Sequence, residues 1–540
     1  MTAVTGLLRA PVGSSLPAVH RPPRGLVVVS LLIIIPLAGP LLVLLWQAAA
    51  GGPLAAVMAP ARLLELGRNT LLLALAVVAA SLALGMATAW CTSRTDLPRA
   101  RLWSTMAAVP VAIPSYVAAL ALLGATGQRG LLSQVLGSFG LGPMPTPRGF
   151  AAAWVVLTLI SFPYVHLLLV PAMRSLDRGQ EEASRGLGAS RLRRLATITL
   201  PQVSNSVRSA ALLVGLYVVA DFGAVSLLQY DTFTRAIYLQ YAGRVDRRPA
   251  LVLALVLVAL ALILVASDRA WRRQSQANRM SRARPVAPVR LRRSQRVLAT
   301  GFLLVVSVAS VGLPVAILAG WWLRGMGEGR AGGSVVMELL RSVGVSGVVG
   351  VVAAAVTLPV AYLTVRYRSR AGRVVENTAW ATYSLPHLTV GLAVLATGAN
   401  VITPLYQTLP LLLIAYLAMF LAQALGPVQA ALRRVPISLE EASRALGRSA
   451  LGTLRRITLP LMIPGLAAGA GLVFLTTMKE LPATLLLRPT GFETLAVRVW
   501  SATSEGFYTR GALAALVLLV VAAIPLHFFV VRDLHRAVDL

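Results

Sequence analysis

The sequence contains few charges and few reactive side chains. Only 13% of its 540 residues are charged, and hydrophobic residues make up 57%, with a mean hydropathy of +0.75. Soluble domains hold about 25% charged residues. The one cysteine, Cys91, excludes an intrachain disulfide and a zinc site built from cysteines. Because no soluble core requires this much apolar sequence, the composition predicts a membrane protein.

The net charge of +31 does not indicate a nucleic-acid-binding protein. Such proteins gather basic residues on one polar face, but here the arginines lie in gaps between apolar runs. Lys479 is the one lysine among 50 basic residues, and it lies between Met478 and Glu480, so the chain has no P-loop for ATP. The five histidines are scattered. We therefore predict no catalytic, cofactor-binding or metal residue and no enzymatic activity.

The apolar runs predict an all-α polytopic membrane protein with about 12 transmembrane helices. A hydrocarbon core of about 30 Å requires roughly 20 apolar residues in a helix. The predicted spans are residues 25–50, 70–91, 102–124, 150–173, 210–228, 250–266, 297–323, 343–365, 378–398, 409–432, 464–487 and 512–531. Prolines lie within the spans 102–124 and 378–398, and membrane helices tolerate proline where neighbouring groups satisfy the backbone.

The distribution of arginine predicts the orientation of the chain. Most arginines lie in segments that face the same side if both termini are cytoplasmic, which is the arrangement that the positive-inside rule favours. Residues 1–24 are predicted to form a basic cytoplasmic tail. The apolar run that follows is too long for the core of a signal peptide, so we interpret it as an uncleaved first span. A signal cleaved near residues 48–50 is the alternative.

An internal repeat divides the chain. Residues 181–188 (EEASRGLG) recur as 440–447 (EEASRALG), and residues 198–201 (ITLP) recur as 457–460, so the second copy is always numbered 259 higher. Six spans per half make the two repeats parallel in the membrane. The predicted organisation is a first half at 25–268 with its loop at 181–201, a basic cytoplasmic linker at 269–296, and a second half at 297–540 with its loop at 440–460.

The repeated loop resembles the EAA loop of binding-protein-dependent ABC importer permeases. That pattern is Glu-Ala-Ala, three residues, Gly, nine residues, Ile, one residue, and Leu-Pro; Ser184 and Ser443 replace its second alanine. The matching positions that we assign to coupling are Glu182, Ala183, Gly188, Leu200 and Pro201, then Glu441, Ala442, Gly447, Leu459 and Pro460. The resemblance covers nearly the whole chain and implies the type I ABC importer permease fold, with both halves fused.

The resemblance also implies the partners. Each loop would form a coupling helix in a cleft of one of two cytoplasmic ABC ATPase subunits, which would bind ATP-Mg in place of this chain. Glu182 and Glu441 would make polar contacts with the ATPase, and the glycines would set the shape of the turn. A periplasmic or lipid-anchored binding protein would deliver the cargo. The chain would lie in the bacterial cytoplasmic (inner) membrane, surrounded by lipid.

Charges inside a span are expensive and mark candidate functional sites. Asp221 and Glu480 are repeat equivalents in the fifth span of each half, and Lys479 precedes Glu480. These three residues are predicted either to line the substrate pathway or to form a structural group in which Lys479 neutralises an acid. The residues alone leave both interpretations open. Among the histidines, only His387 is expected near the pathway.

Two segments resemble the iron(III) branch of these permeases. They are residues 478–489 (MKELPATLLLRP) and residues 221–225 (DFGAV). The implied cargo is ferric iron. Thiamine permeases share the fused layout, so another small cargo is an alternative, and an ion-coupled secondary transporter is an alternative of a different class. The lack of clustered histidine or acidic residues within spans disfavours a membrane-embedded enzyme.

Overall fold

The computed structural model describes residues 22–50, 59–126, 130–140, 145–176, 178–243, 248–274, 289–327 and 334–528. Within these ranges the chain is almost entirely α-helical. The helices before the linker are α1 (Arg24–Leu32), α2 (Ile34–Ala50), α3 (Pro60–Ser93), α4 (Ala100–Ala108), α5 (Ser115–Ala125), α6 (Leu131–Ser138), α7 (Gly149–Arg174), α8 (Arg178–Gly186), α9 (Arg191–Arg194), α10 (Leu200–Ala220), α11 (Gly223–Leu227), α12 (Phe233–Gly243) and α13 (Arg248–Gln274).

The remaining helices repeat this order, except that a 3-10 segment takes the place of α6. They are α14 (Arg293–Ser307), α15 (Leu313–Gly327), α16 (Val336–Val365), α17 (Arg370–Tyr383), α18 (His387–Asn400), α19 (Leu409–Arg434), α20 (Ile437–Ala445), α21 (Ala450–Thr453), α22 (Leu459–Met478), α23 (Pro482–Leu487), α24 (Leu495–Ser504) and α25 (Tyr508–Leu526). The 3-10 segments are Val109–Ala112 and Thr403–Leu405, and the π-helical segments are Leu195–Thr199, Val308–Gly312 and Leu454–Thr458.

Ten helical segments of the described chain are long and apolar enough to cross a membrane, and a bent pair raises the number to 11. The ten overlap ten of the predicted spans, but the two fifth spans, predicted at 210–228 and 464–487, lie earlier, at Ala196–Ala220 and Ala450–Met478. The structure also differs at the remaining two predicted spans, residues 102–124 and 378–398. The first is the bent pair, in which α4 with its 3-10 turn meets α5 at 98°. The second is divided into α17 and α18 around Pro386.

Proline explains where these two spans break. Ile113 is extended (φ −81°, ψ 118°) directly before Pro114, as expected for a residue that precedes proline. Pro114 and Pro386 then occupy the position before the first helical turn of α5 and α18, where a missing N–H costs nothing. We use "break" below for the non-helical point between two helices of one span.

Each half has the same packed centre. Helices α3, α7 and α10 pack together in the first half, and α16, α19 and α22 pack together in the second. Small residues permit the close approach: a Cβ at Gly350 of α16 would lie 2.7 Å from the carbonyl oxygen of Ala470 in α22. Close contact between small residues is a common source of helix association in membranes, where the hydrophobic effect between helices is absent.

The first span of each half packs against the other half. Helices α1 and α2 contact α16, α17 and α18, whereas α14 and α15 contact α4 and α5. Gly124 in α5 leaves the space that the ring of Trp321 in α15 occupies. The two halves are therefore interlocked, and each broken third span is supported by a helix from the opposite half.

The described end of the linker is bound to the first half. The Val289 N–H donates to the carbonyl of Arg94 at 2.7 Å, and Thr95 forms an isolated parallel bridge with Val289. The carboxylate of Asp96 accepts from the Leu291 N–H at 2.9 Å and from the Arg296 guanidinium at 2.8 Å. These interactions, led by the Leu291 hydrogen bond, lower the pKa of Asp96.

Candidate coupling elbows and intramembrane breaks

The repeated loops form two elbows of the same shape, the first at residues 181–201 and the second at 440–460. A short helix, α8 or α20, ends in each elbow at a glycine in the left-handed region, Gly188 (φ +76°) or Gly447 (φ +80°). In the second elbow the Arg448 N–H donates to the Ser443 carbonyl at 3.2 Å, and the first has the equivalent bond. A Cβ at either glycine would meet nothing within 4 Å. Glycine is therefore required for the backbone turn, not for packing.

A π-helical turn leads from each elbow back into a spanning helix. These turns are Leu195–Thr199 and Leu454–Thr458, at equivalent positions of the repeat. Each is followed by a Leu-Pro pair, with Pro201 or Pro460 in the first turn of the next helix. Proline lacks an N–H and its ring clashes with the carbonyl four residues earlier, and a widened turn relieves that clash. The repeated Ile-x-Leu-Pro motif thus sets the angle at which the chain re-enters the span.

The residues assigned to coupling lie mainly on the surface of the elbows. Exposed side chains are those of Glu182, Ala183, Leu200, Pro201, Glu441, Ala442 and Pro460, and Leu459 is half-buried. Their role in coupling stays a prediction. Sequence reasoning missed two neighbours, Leu187 and Leu446, which are repeat equivalents and are 87% and 83% exposed. These are the highest exposures among the large hydrophobic side chains described, and paired apolar projections of this kind are typical of a protein-binding surface.

One buried carboxylate connects the second elbow to the spans. Glu440 is 5% exposed, and its Oε1 accepts from Arg366 at 3.0 Å, from Thr458 at 3.1 Å and from the Tyr362 hydroxyl at 3.3 Å. Arg366 also donates to the carbonyl of Val435 at 2.9 Å. We call these residues the Glu440 cluster. It connects α20 with the C-terminal ends of α16 and α19 and with the segment that begins α22.

The sequence contained an unused signal for this cluster. Adjacent residues on a helix point about 100° apart, so the two glutamates of the elbow point in different directions. Glu441 is exposed and Glu440 is buried. Arg94, which follows α3 as Arg366 follows α16, is only 2% exposed. The side chain of Glu181, the first-half equivalent of Glu440, lies outside the described residues.

The serine of the second elbow closes its turn. Ser443 is buried, and its hydroxyl lies 3.0 Å from the hydroxyl of Thr453. An alanine at this position, as in the EAA pattern, could not form that hydrogen bond. The serine that replaces the second alanine of the EAA pattern therefore adds a hydrogen bond across the turn.

In the first half, Asp221 lies at the break of the fifth span. Helix α10 ends at Ala220, and the short helix α11 begins two residues after Asp221. The Oδ1 atom of Asp221 accepts from the N–H groups of Ala224 at 3.0 Å and Val225 at 3.4 Å. These are the donors that the first turn of a helix leaves unsatisfied, so Asp221 caps α11.

In the second half, Glu480 has the same capping role. Its Oε1 accepts from the Ala483 N–H at 3.0 Å, and its Oε2 accepts from the N–H of Thr484 at 3.1 Å and from the Thr484 hydroxyl at 2.7 Å. The Glu480 side chain is 0% exposed. Both predicted pathway acids are thus buried and hydrogen-bonded within their own break, and a role in the pathway stays a prediction.

Lys479 makes a contact between the two halves. Its Nζ donates to the carbonyl of Val111 at 2.7 Å, in the 3-10 turn at the break of the first half's third span. Within the described residues this is its one hydrogen bond, and it forms no ion pair there. The interpretation in which Lys479 neutralises an intramembrane acid therefore lacks a direct contact in the described structure.

The third-span and fifth-span breaks meet in each half. His387, at the start of α18, has its Nδ1 4.0 Å from the Oε1 of Glu480, and its ring contacts Phe420. Ser115, at the start of α5, lies where a Cβ on Gly223 would come within 2.9 Å of its hydroxyl. His387 is thus near the predicted pathway residues. The described residues contain no group of three or more His, Cys, Asp or Glu placed to hold a metal ion.

Comparison with known proteins gives two matches to one family. Residues 79–270 and 346–539 each match the binding-protein-dependent transport system inner membrane component. The chain is also 29% identical over 512 residues to the Fe(3+)-transport system permease protein FbpB 2 of Haemophilus influenzae, covering 94% of this chain and 98% of that protein.

Shorter matches reach permeases named for other cargoes. The chain is 30% identical over 138 residues to a putative 2-aminoethylphosphonate transport system permease protein PhnV of Salmonella typhimurium, covering 26% of this chain and 52% of that protein. It is 28% identical over 159 residues to the sulfate transport system permease protein CysW of Synechocystis, covering 29% and 56%. With two family matches spanning most of its length, this chain belongs to the binding-protein-dependent transport system inner membrane components, as a fused two-half permease.

Proposed function

We propose that this chain is the translocation subunit of an ATP-driven importer. The observation that carries the proposal is the pair of elbows, which share a left-handed glycine, a π-helical turn and an exposed leucine at equivalent positions. Two equal surfaces on one chain suit two copies of one partner, and a cytoplasmic ABC ATPase is the partner that the family supports. The ATPase subunits bind ATP-Mg, and this chain binds no cofactor.

The proposed cycle uses the elbows to move the two halves. A periplasmic or lipid-anchored binding protein delivers cargo on the side opposite the elbows. ATP binding brings the ATPase subunits together, and the elbows transmit that movement to the spanning helices. A difference in affinity between the two conformations is what shifts the equilibrium from inward-open to outward-open. This cycle requires an inner-membrane location with both termini cytoplasmic.

Ferric iron is the proposed cargo. Support comes from the near full-length similarity to a permease named for Fe(3+) transport, and from residues 478–489 and 221–225. Thiamine or an oxyanion such as phosphonate or sulfate is the alternative cargo, because shorter matches reach permeases with the latter two names. An ion-coupled secondary transporter would import cargo without any ATPase.

The test is uptake of ⁵⁵Fe(III) into proteoliposomes that contain this chain, its ATPase and its binding protein. We expect uptake to require both ATP and the ATPase. The double variant Glu182→Lys with Glu441→Lys should abolish uptake, because it reverses the charge of both exposed elbow acids, while membrane insertion stays normal. Uptake without the ATPase would favour a secondary transporter, and normal uptake by the double variant would remove the elbows from coupling.

A further inference from the structure

We propose that Lys479 is a cargo-contact residue whose ammonium group binds an oxyanion at the interface between the two halves. The inference rests on the proposed import function and narrows its substrate class. The cargo would be an oxyanion itself, or a ferric ion that travels with a bound oxyanion. Either source presents the same chemistry to Lys479, namely oxygen atoms that carry negative charge.

Among the three charged residues at the breaks, the basic one, Lys479, has the most exposed surface. The carboxylate of Glu480 is fully buried, and Asp221 is 7% exposed, with its Oδ1 occupied by backbone N–H groups. Lys479 as a whole residue is half-buried, whereas Asp221 and Glu480 are buried. A solute at this level of the bundle therefore finds both carboxylates covered by hydrogen bonds, and Lys479 is the charged residue that keeps some exposed surface.

The ammonium group of Lys479 has more hydrogen-bond donors than its contact with Val111 uses. It carries three N–H donors, and the carbonyl of Val111 accepts from one. Within the described residues no carboxylate comes within ion-pair distance of Lys479. A cation in a membrane interior is stabilised by a partner of opposite charge. A bound oxyanion supplies both the charge and several acceptor oxygens.

The position of the contact fits a site that opens and closes. Lys479 follows α22 of the second half, and Val111 belongs to the third-span break of the first half. A path between the halves must separate these two groups, and a cargo oxygen can then replace the Val111 carbonyl. The repeat equivalent of Lys479 is Ala220, so the second ammonium that symmetry would place on the path is absent. Irregular backbone in a membrane protein is tolerated where it lines a cavity, so a break between helices is a suitable place for a substrate site.

The type of side chain is informative as well. Every other basic residue among the 50 is arginine, so this position departs from the residue choice made in the rest of the chain. Guanidinium is a planar fork with five donors, whereas ammonium is a compact point charge with three donors that can turn towards different acceptors. A compact ammonium turns more easily than a guanidinium from a backbone carbonyl to a cargo oxygen within a narrow break, so arginine at this position should keep the charge and only part of the uptake.

The experiment measures uptake by the complete importer in proteoliposomes with phosphate as the sole added oxyanion. One arm supplies ⁵⁵Fe(III) together with [³²P]phosphate, and the second supplies [³²P]phosphate alone. The variants are Lys479→Met, which keeps the length of the side chain without its charge, and Lys479→Arg, which keeps the charge. Co-purification of the ATPase subunits shows that each variant is folded and assembled.

We expect Lys479→Met to lower uptake at least about tenfold, the loss of one charge-assisted hydrogen bond, and Lys479→Arg to retain more uptake than Lys479→Met. Entry of ³²P together with ⁵⁵Fe identifies a ferric oxyanion complex, and entry of ³²P alone identifies a free oxyanion; both support the proposal. Parental uptake by Lys479→Met, equal loss in both variants, or ⁵⁵Fe entry without ³²P overturns it. Failure of the parental complex to show ATP-dependent uptake overturns the proposed function and this inference together.

Discussion

The two elbows of this permease are alike, whereas the two intramembrane breaks are not. Both elbows end a short helix at a left-handed glycine and continue through a π-helical turn of five residues. At the breaks, Asp221 is matched by Glu480, and Ala220 is matched by Lys479. One contact, from Lys479 to Val111, joins the halves in one direction without a symmetric counterpart at Ala220.

The proposed function gives a reason for the difference. Two equal ATPase subunits would require two equal docking surfaces, so symmetry at the elbows would be useful. A single path between the halves would hold one cargo at a time, and the two sides of that path could carry different groups. Duplication therefore constrains the elbows more strongly than it constrains the breaks.

The largest loss of stability is expected from a substitution that disrupts the Glu440 cluster of the second elbow. Arg366→Met leaves the carboxylate of Glu440 buried without its ionic partner, and the loss of one member of a buried ion pair costs about 3–5 kcal/mol. We expect a lower thermal unfolding temperature in detergent and reduced uptake. The control is Arg433→Met, an exposed arginine at the end of α19, which should change stability by less than about 0.5 kcal/mol. Equal stability of the two variants would contradict the role of the cluster.

A second prediction compares the two breaks directly. Asp221→Ala and Glu480→Ala should each lower transport without releasing the ATPase, because each removes the cap of a short helix at about 0.5–2 kcal/mol. Glu480→Ala should have the larger effect, since both carboxylate oxygens of Glu480 accept from N–H groups of its short helix, whereas Asp221 accepts those of its own through Oδ1 alone. Uptake and co-purification of the ATPase measure the two consequences. If both variants carry cargo at the parental rate, these acids have no part in the path.

A third prediction sharpens the likeness of the elbows. Gly188→Ala and Gly447→Ala should each destabilise by about 1 kcal/mol, because a Cβ is unfavourable in the left-handed region and nothing else crowds either position. Thermal unfolding of the two single variants should show equal shifts. Unequal shifts would mean that the backbone of one elbow adjusts to the added Cβ and that of the other does not, so the two elbows would not be alike.

The smallest expected effect comes from the contact between the linker and the first half, at Asp96. The Leu291 and Arg296 interactions lower the pKa of Asp96 below 3.8, its ordinary value. Their stabilisation is present above that value and is lost as the pH falls through the lower folded-state pKa. Hydrogen exchange at Leu291, corrected for its intrinsic pH dependence, should accelerate in that acid range. Asp96→Asn should show the faster exchange already at neutral pH, and a variant that exchanges like the parent would contradict the contact.

The linear pattern was sufficient for the features that depend on local chemistry. Apolar run length predicted ten of the spanning helices, and the family resemblance of the repeated motif implied that its glycines shape the turn of each elbow. Prolines signalled irregularity in two spans but not its size. The bend of 98° at the third span depends on the helices from the opposite half that support it, and a linear pattern does not contain that information.

Sequence by itself thus determined that the chain is a duplicated membrane helix protein with two matching elbows, because hydrophobic run length, proline and left-handed glycine act within a few residues. Only the tertiary structure decided that Glu440 and not Glu441 faces inward, that the acids of the fifth spans cap their own short helices, and that Lys479 reaches Val111 in the other half. Those outcomes depend on which distant donor or acceptor comes within about 3 Å, and that distance is set by how the two halves pack.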